Sequence, residues 1–260
     1  MAPTWDSGGA RDLSVSRPAG HSPLGWTSLA KSSVWGHRSP RSNRDSRCTR
    51  CSGTAGVGAE YVAAKASRVA QAPQRIPLTQ AAAVPLAGLT ALQALRVGSG
   101  SQLRAGARVL VYGASGGIGA FGVQLAKHFG AVVTGVARAE KLDFVRSLGA
   151  NEVLDAKNLT AAWQAGPWDV VFDTPPALSF ADVRPHLGAS GVYVSTRPFP
   201  TGVQDIGGML RRSGPRFAGV MTKERSQDLT FLVELHLCCV AQVKRCASGL
   251  WGVGLQIRQG

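Results

Sequence analysis

The most constraining feature of the sequence is an apolar run that leads through a glycine-rich turn directly into a helical segment. Residues 109–112 are a short β-prone run, and residues 113–119, which follow at once, contain four glycines. Residues 120–129 have the pattern of a helix, which Gly130 ends as a C-terminal stop. A strand that enters a helix through such a turn is typical of the first half of a βαβ unit, and it predicts a parallel sheet.

The same alternation of strand and helix continues towards the C-terminus. We predict further strands at residues 131–136, 152–155, 168–173 and 191–195, with a helix over 140–148 that ends at Gly149. The strand cores are continuously apolar, which indicates a sheet covered by helices on both faces. We therefore expect an α/β fold, a doubly wound parallel sheet of the Rossmann type.

The glycine-rich turn predicts a binding site for a diphosphate. Glycines let a phosphate approach main-chain N–H groups at a helix N-terminus, where the helix dipole favours anions. The spacing Ala114-x-Gly116-x-x-Gly119 has alanine where the usual dinucleotide motif has its first glycine. The candidate cofactor-binding residues of the turn are Ser115, Gly116, Gly117, Ile118 and Gly119. The alternative left open is a tight turn without a ligand.

The residues after the second predicted strand indicate which dinucleotide binds. NAD-binding domains usually place a carboxylate near the end of this strand, where it holds the ribose 2′-hydroxyl. This chain has none there, whereas Arg138 and Lys141 are cationic and would bind a 2′-phosphate. We therefore predict NADPH in preference to NADH. In the alternative interpretation the two cations are a solvated helix start, partly offset by Glu140.

The net charge of +14 does not by itself predict a nucleic-acid partner, because the charge is unevenly distributed. Residues 1–55 carry eight Lys and Arg against three Asp and Glu, and residues 237–260 carry three against none. The first segment also contains 11 serines and has no helical or strand periodicity. Since no aromatic–basic platform or reading helix is present, we expect no nucleic-acid partner. A basic nucleic-acid-binding protein is the least favoured class.

Composition also limits the compartment. The longest mostly apolar stretch, residues 81–95, is shorter than a membrane span, and no secretory signal is visible. The five cysteines are an odd number, which argues against a secreted disulfide framework. We expect a cytoplasmic protein without a membrane partner.

Metal and nucleophilic chemistry have little support. Cys48 and Cys51 have the spacing of zinc ligands, but a structural zinc site needs four ligands and no second pair lies nearby. The five histidines are scattered, and no Ser-His-Asp set or carboxylate pair stands out. We expect no metal site, and the catalytic residues are unknown.

Several separated motifs occur in a fixed order: Gly-Ala-Glu-Tyr-Val at 58–62, Pro-Leu-Ala-Gly-Leu-Thr-Ala at 85–91, the run 109–119, Leu-Gly-Ala at 148–150 and Asp-Val-Val-Phe-Asp-Thr at 169–174. Together they resemble the zinc-independent quinone oxidoreductases of the medium-chain dehydrogenase/reductase superfamily, over roughly residues 56–235. The resemblance implies hydride transfer from NADPH to a small-molecule electron acceptor, a quinone or an α,β-unsaturated carbonyl. Such a reaction needs no dedicated nucleophile.

The resemblance also assigns individual residues. It implies that Thr90, Asp173 and Thr174 lie near the nicotinamide and that Lys141 meets the 2′-phosphate. The family often has a tyrosine that faces the adenosine phosphate two residues after the apolar pair of the third strand. Ala156 stands there in this chain, so that contact is lost.

The N-terminal part departs from the family. If residues 25–45 are reread one base out of frame, Trp26-Thr27 can yield only Asp and Trp35-Gly36 only Gly, and the result resembles the family's Asp-x-Ala-Gly-x-Val segment. The hypothesis is that residues 25–52 are frame-shifted and that the frame is restored before Gly56.

We divide the chain into four parts. They are an aberrant, disordered segment in place of the catalytic domain (1–55), the end of that domain with connecting helices (56–100), the Rossmann domain (101–221), and a C-terminal helix with an aberrant tail (222–260).

This departure leaves an alternative function open. The chain would then be a non-catalytic dinucleotide-binding remnant of such an enzyme, without a substrate domain and with weak or no turnover. Apolar residues 78–95, normally covered by that domain, are expected to be exposed. Whether the chain forms a homodimer is also left open.

Overall fold

The computed structural model of the chain describes residues 27–28, 48–51, 66–71, 81, 83–99, 103–197, 199, 203–210 and 213–235. These residues form a small antiparallel sheet and a larger parallel sheet with helices on both faces. The larger sheet carries the candidate site.

The small sheet consists of β1 (Thr27–Ser28), β2 (Cys48–Cys51) and β3 (Val69–Gln71), with a 3-10 turn at Ala66–Arg68 before β3. Both neighbouring strand pairs are antiparallel. Strands β1 and β2 fall within residues 1–55, and the division of the chain at residue 55 stays a prediction. The frame-shift hypothesis stays a prediction, because most of residues 25–52 lie outside the described ranges.

The larger sheet has six strands: β4 (Arg108–Tyr112), β5 (Val132–Ala137), β6 (Glu152–Asp155), β7 (Trp168–Asp173), β8 (Leu187–Ser195) and β9 (Arg216–Gly219). Their order is β6-β5-β4-β7-β8-β9, and all neighbouring pairs are parallel. The chain winds outwards from β4 to β6, returns to β7 and winds outwards again to β9. This confirms the doubly wound α/β fold, and its topological switch point lies between β4 and β7.

The helices are α1 (Val84–Ser99), α2 (Gly117–His128), α3 (Leu142–Ser147), α4 (Leu159–Gln164), α5 (Phe180–Val183), α6 (Val203–Leu210) and α7 (Ser226–Glu234). Helix α2 begins inside the glycine-rich turn, and the helix predicted at 140–148 begins as a 3-10 turn, Ala139–Lys141. A third 3-10 turn, Arg184–His186, precedes β8, which begins before the predicted residue 191. Among the helices described, none has the length and apolar character to cross a bilayer.

Alternate residues of the central strands contribute to two separate apolar clusters. Val109 and Val111 of β4 belong to one cluster, together with Phe121 of α2, while Leu110 belongs to the other. Side chains alternate between the two faces of a strand, so the clusters lie on opposite faces of the sheet. The second cluster also contains the fully buried side chain of Trp168.

The apolar side of helix α1 is buried, so the expected exposed apolar surface is wrong for residues 84–95, while residues 78–80 and 82 lie outside the described ranges. Leu89 and Leu92 are completely buried, and Leu95 is 1% exposed. The helix packs against α2, α7 and strand β8. Elements within the described part of the chain therefore cover its apolar side.

A polar side of α1 binds the segment that follows β9. The side-chain amide of Gln93 accepts from the backbone N–H of Lys223 at 2.8 Å and donates to its carbonyl oxygen at 2.7 Å. Gln93 also donates to Asp228 at 3.0 Å, and Arg96 forms a salt bridge with the same carboxylate, which is buried. These bonds hold the start of α7 against α1.

Candidate dinucleotide-binding site

The glycine-rich turn begins at the carboxyl end of β4, at the switch point. Gly113 has φ +77°, in the left-handed region that favours glycine. A Cβ atom at this position would lie 2.5 Å from Oγ1 of Thr174 and 2.8 Å from Cδ of Pro175. The N–H groups of Gly113 and Ala114 donate to the carbonyl oxygen of Val136 at 3.0 and 2.9 Å. The ends of β4, β5 and β7 therefore meet at Gly113.

Two glycines of the turn have opposite surroundings. A Cβ atom on Gly119 would lie 2.2 Å from the carbonyl oxygen of Gly113 and 2.8 Å from Cα of Ala114, so only glycine fits. A Cβ atom on Gly117 would have no atom within 4 Å, and Gly117 lines the cavity described below. The turn is thus closely packed at Gly119 and open at Gly117, where a ligand would approach the backbone.

The N-terminus of α2 favours an anion. The first intrahelical bond runs from the N–H of Ala120 to the carbonyl oxygen of Gly116, the N-cap residue, which provides no capping side chain. The N–H groups of residues 117–119 precede this bond and have no intrahelical partner. The first turn also contains no acidic residue. These features fit the diphosphate of a dinucleotide.

A cavity of about 580 Å³ opens at this end of the sheet. Its walls come from the start of α1, the glycine-rich turn and the carboxyl ends of β5, β6 and β7. The volume lies in the range of roughly 300–1,000 Å³ that is usual for small-molecule sites. Ala156, where the resembling family often has tyrosine, forms part of the wall after β6.

The two predicted phosphate-binding cations differ in their surroundings. Arg138 follows β5 directly and lines the cavity, with a side chain that is 75% exposed. Its Nε lies 3.2 Å from Oε1 of Glu140 in an exposed salt bridge. Lys141, the last residue of the 3-10 turn, is exposed but does not line the cavity. Both cations therefore belong to the segment after β5, and of the two only Arg138 lines the cavity.

Asp173, the last residue of β7, organises the loop that follows it. Its carboxylate is completely buried and accepts from the N–H groups of Leu178 at 2.9 Å and Ala177 at 3.3 Å. The hydroxyl of Tyr193 lies 2.8 Å from the same carboxylate and 2.7 Å from the carbonyl oxygen of Leu178. Asp173 and Tyr193 thus connect the two ends of the loop 173–178.

Burial dominates the electrostatics of this pair. It raises the pKa of the Asp173 carboxyl, against the opposing effect of the hydrogen bonds that the carboxyl accepts and of the nearby Arg197 charge. Burial also raises the pKa of the Tyr193 hydroxyl, and the negative charge of Asp173 adds to that effect. Tyr193 therefore keeps its proton at neutral pH.

Thr174 joins the loop to the glycine-rich turn. Its hydroxyl donates to the carbonyl oxygen of Tyr112 at 2.9 Å, and both Thr174 and Pro175 line the cavity. The loop after β7 is therefore held against the end of β4.

Thr90 is a buried residue of α1. It is 5% exposed and does not line the cavity, whereas Leu86 and Ala87 of the same helix do. Its hydroxyl donates to the carbonyl oxygen of Leu86 at 2.7 Å. The hydroxyl of Thr222 lies 2.7 Å away and donates to Thr90, whose own proton is already used. The Thr90 side chain thus connects α1 to the segment after β9.

The structure brings together part of the predicted set. The predicted residues that line the cavity are Ser115, Gly116, Gly117, Ile118, Arg138 and Thr174. Those that lie outside its lining are Thr90, Gly119, Lys141 and Asp173. Their contacts with a cofactor stay predictions. The residues that sequence reasoning missed are apolar wall residues such as Leu86, Ala87, Val136 and Ala137. Only their place at strand and helix ends marks them, since their residue types carry no chemistry.

In the described ranges, no group of three or more His, Cys, Asp or Glu side chains has the arrangement of a metal site. Cys48 and Cys51 are the first and last residues of β2.

The strand order and the glycine-rich turn at the switch point define a Rossmann domain with a dinucleotide-type site. The family model described as zinc-binding dehydrogenase matches residues 117–196. The chloroplast envelope quinone oxidoreductase homolog of Arabidopsis thaliana is 34% identical over 185 residues, which are 68% of this chain and 56% of that protein. The quinone-oxidoreductase homolog of Spinacia oleracea is 36% identical over 57% of this chain and 47% of its own length. The chain therefore spans about half the length of these relatives.

Solved structures agree with the sequence relatives. The quinone oxidoreductase of Coxiella burnetii superposes with a TM-score of 0.62 at 23% identity, covering 80% of this chain and 70% of the other, and so shares the fold. The quinone oxidoreductase of Thermus thermophilus, whose structures include a complex with NADPH, has a TM-score of 0.56 at 26% identity and covers 81% and 65%. This chain belongs to the zinc-independent, quinone oxidoreductase-like group of the medium-chain dehydrogenase/reductase superfamily.

Proposed function

We propose that this chain is an NADPH-dependent oxidoreductase that transfers hydride to a quinone or an α,β-unsaturated carbonyl. The observation that carries the proposal is the cavity at the switch point, where open backbone at Gly117 faces the same space as Arg138. A diphosphate would bind to the open backbone at Gly117, and a 2′-phosphate would bind to the side chain of Arg138. Bound NADPH would supply the hydride, and the protein would supply position and exclusion of water.

The residues on the walls support separate parts of the cofactor. The N–H groups at the start of α2 would bind the diphosphate. Arg138, with Lys141 beside it, would bind the 2′-phosphate, because both side chains donate hydrogen bonds and carry positive charge. Thr174, held by its bond to Tyr112, lines the same cavity and would orient the nicotinamide half.

The names of relatives support the cofactor and the acceptor class. The NADPH-dependent alkenal/one oxidoreductase of Arabidopsis thaliana is 40% identical over 44% of this chain and 30% of that protein. The mitochondrial NAD(P)H oxidoreductase RTN4IP1 of Bos taurus is 37% identical over 45% of this chain and 31% of its own length. Several of these relatives are chloroplastic or mitochondrial by name, so a cytoplasmic location for this chain is a proposal only.

A second candidate is a dinucleotide-binding protein without turnover. The chain covers 56% and 47% of the two plant relatives described above, and a Rossmann domain alone does not carry a substrate site. Binding and turnover therefore need separate measurements.

Binding is tested by titrating the full chain with NADPH and NADH and following the fluorescence of the dihydronicotinamide. We expect NADPH to bind more tightly. Arg138→Ala should weaken NADPH binding by roughly ten-fold or more, the worth of a lost charge-assisted hydrogen bond, and should leave NADH nearly unchanged. The matched control is Arg146→Ala, since Arg146 is also an exposed arginine in a salt bridge, with Asp143, and does not line the cavity.

Turnover is tested by the loss of NADPH absorbance with a 1,4-quinone and with an α,β-unsaturated aldehyde. Saturable turnover with either acceptor supports the oxidoreductase. Tight NADPH binding with no turnover supports the second candidate. Absence of dinucleotide binding would refute both.

A further inference from the structure

We propose that Glu140 is a specificity-determining residue that limits the preference of this site for NADPH over NADH. The inference rests on the proposed function, since it concerns the 2′ position of the same cofactor. It arises from the salt bridge at the rim of the cavity, in which the cavity-lining Arg138 is held by a carboxylate two residues away.

The salt bridge leaves part of the guanidinium for a ligand. Glu140 takes the Nε side of Arg138, with Nε and Oε1 3.2 Å apart. Arginine has five N–H donors, four of them on its terminal nitrogens, so a phosphate can still bind to the outer edge. Both side chains are well exposed, at 75% and 58%, and the pair therefore contributes little to folding stability.

The carboxylate opposes NADPH. A 2′-phosphate on the outer edge of the Arg138 guanidinium would lie roughly 7 Å from the Glu140 carboxylate, across the same planar group, and carry nearly two negative charges. At the dielectric constant of water their repulsion corresponds to about a five-fold loss of affinity. Lys141 adds a second positive charge on the same short turn, so the phosphate still binds, but less tightly than two unopposed cations would allow.

The same carboxylate favours NADH. The ribose 2′-hydroxyl of NADH is a hydrogen-bond donor as well as an acceptor, and neither Arg138 nor Lys141 can accept a bond. Among the charged side chains of residues 138–141, Glu140 is the one that accepts. A bond to a carboxylate is also stronger than a bond to a neutral amide. Glu140 therefore makes the affinities for NADPH and NADH more similar than they would be with Arg138 and Lys141 alone.

The test is the ratio of the NADH and NADPH dissociation constants, measured by titration of the full chain. Glu140→Gln should raise this ratio at least five-fold at low salt, chiefly through tighter NADPH binding, and the difference should shrink strongly near 1 M salt because the charges are screened. The matched control is Asp143→Asn, which removes one exposed carboxylate from the other salt bridge of this segment, with Arg146. It should leave the ratio unchanged.

The outcomes separate the two proposals. An unchanged ratio in Glu140→Gln, or an equal change in Asp143→Asn, overturns the role of Glu140. The proposed function still stands in that case if the wild-type chain binds NADPH. If the wild-type chain binds neither dinucleotide, the proposed function fails and the role of Glu140 fails with it.

Discussion

Gly117 and Gly119 at the start of α2 allow a sharp test, because replacing each with alanine is expected to have a different effect on Tm. In Gly119→Ala the new Cβ atom would lie 2.2 Å from the carbonyl oxygen of Gly113, about 1 Å short of the 3.4 Å at which ordinary contact begins. The obstacle is backbone at the junction of β4 with the turn, so it cannot rotate away. In Gly117→Ala the new atom meets nothing within 4 Å.

The magnitudes follow from these distances. Overpacking of this kind costs roughly 1–3 kcal/mol, and for a chain of this size each kcal/mol lowers Tm by about 2–4 °C. Gly119→Ala should therefore lower Tm by about 2–12 °C and weaken NADPH binding, since the turn must open. Gly117→Ala should leave Tm unchanged or slightly higher, because alanine is the better helix former. It should still weaken NADPH binding by roughly ten-fold, because the methyl group fills the space next to the diphosphate.

The assay is thermal unfolding followed by circular dichroism, together with an NADPH titration of each variant. If Gly119→Ala has the Tm and the NADPH affinity of the wild type, the turn is not closely packed at Gly119. If Gly117→Ala lowers Tm as much as Gly119→Ala, the space beside Gly117 is not open. If Gly117→Ala binds NADPH normally, the diphosphate does not lie on the first turn of α2.

A further prediction concerns the loop after β7. Because burial raises the pKa of Asp173, the fold favours its neutral form, and the stability from that form is complete below the ordinary value of 3.8 and lost as pH rises through the folded pKa. The unfolding free energy of wild type minus that of Asp173→Asn, measured with urea, should therefore fall as the pH rises above the ordinary value of 3.8, and a constant or rising difference contradicts the assignment.

The parts of the fold that could be predicted are those whose signal is local. The glycine-rich turn is one, because the close approach of Gly119 to Gly113 admits no other residue and so leaves its mark in the sequence. The apolar strands β4 and β7 are others, since they are buried on both faces and read as continuous runs.

Helix α6 could not be predicted, because its local preference and its tertiary role disagree. Residues 203–210 contain Gly207 and Gly208 in sequence, which lowers helix propensity. The structure explains the second glycine: a Cβ atom on Gly208 would lie 2.6 Å from the ring of Phe180 in α5. Strand β9 is likewise short and lies at the sheet edge, where its pairing with β8 decides its conformation.

The residues of the candidate site also fall into those with a local sequence signal and those that depend on tertiary contacts. The polar residues of the turn and Arg138 are predictable because their chemistry is visible in residue type and spacing. Leu86 and Ala87 reach the cavity only because α1, more than twenty residues earlier in the chain, packs against α2. The role of Thr90 also depends on a partner, Thr222, 132 residues away in sequence.

The pairing of Gln93 with the backbone of Lys223 has a mechanical consequence. It joins the helix that leads into the parallel sheet to the segment that leads out of it, and the salt bridge of Arg96 with Asp228 reinforces the junction. A pulling force applied between residues 84 and 235 would act on this junction before it acted on the six strands. The six strands of the sheet would thus bear load only after α1 and α7 had separated.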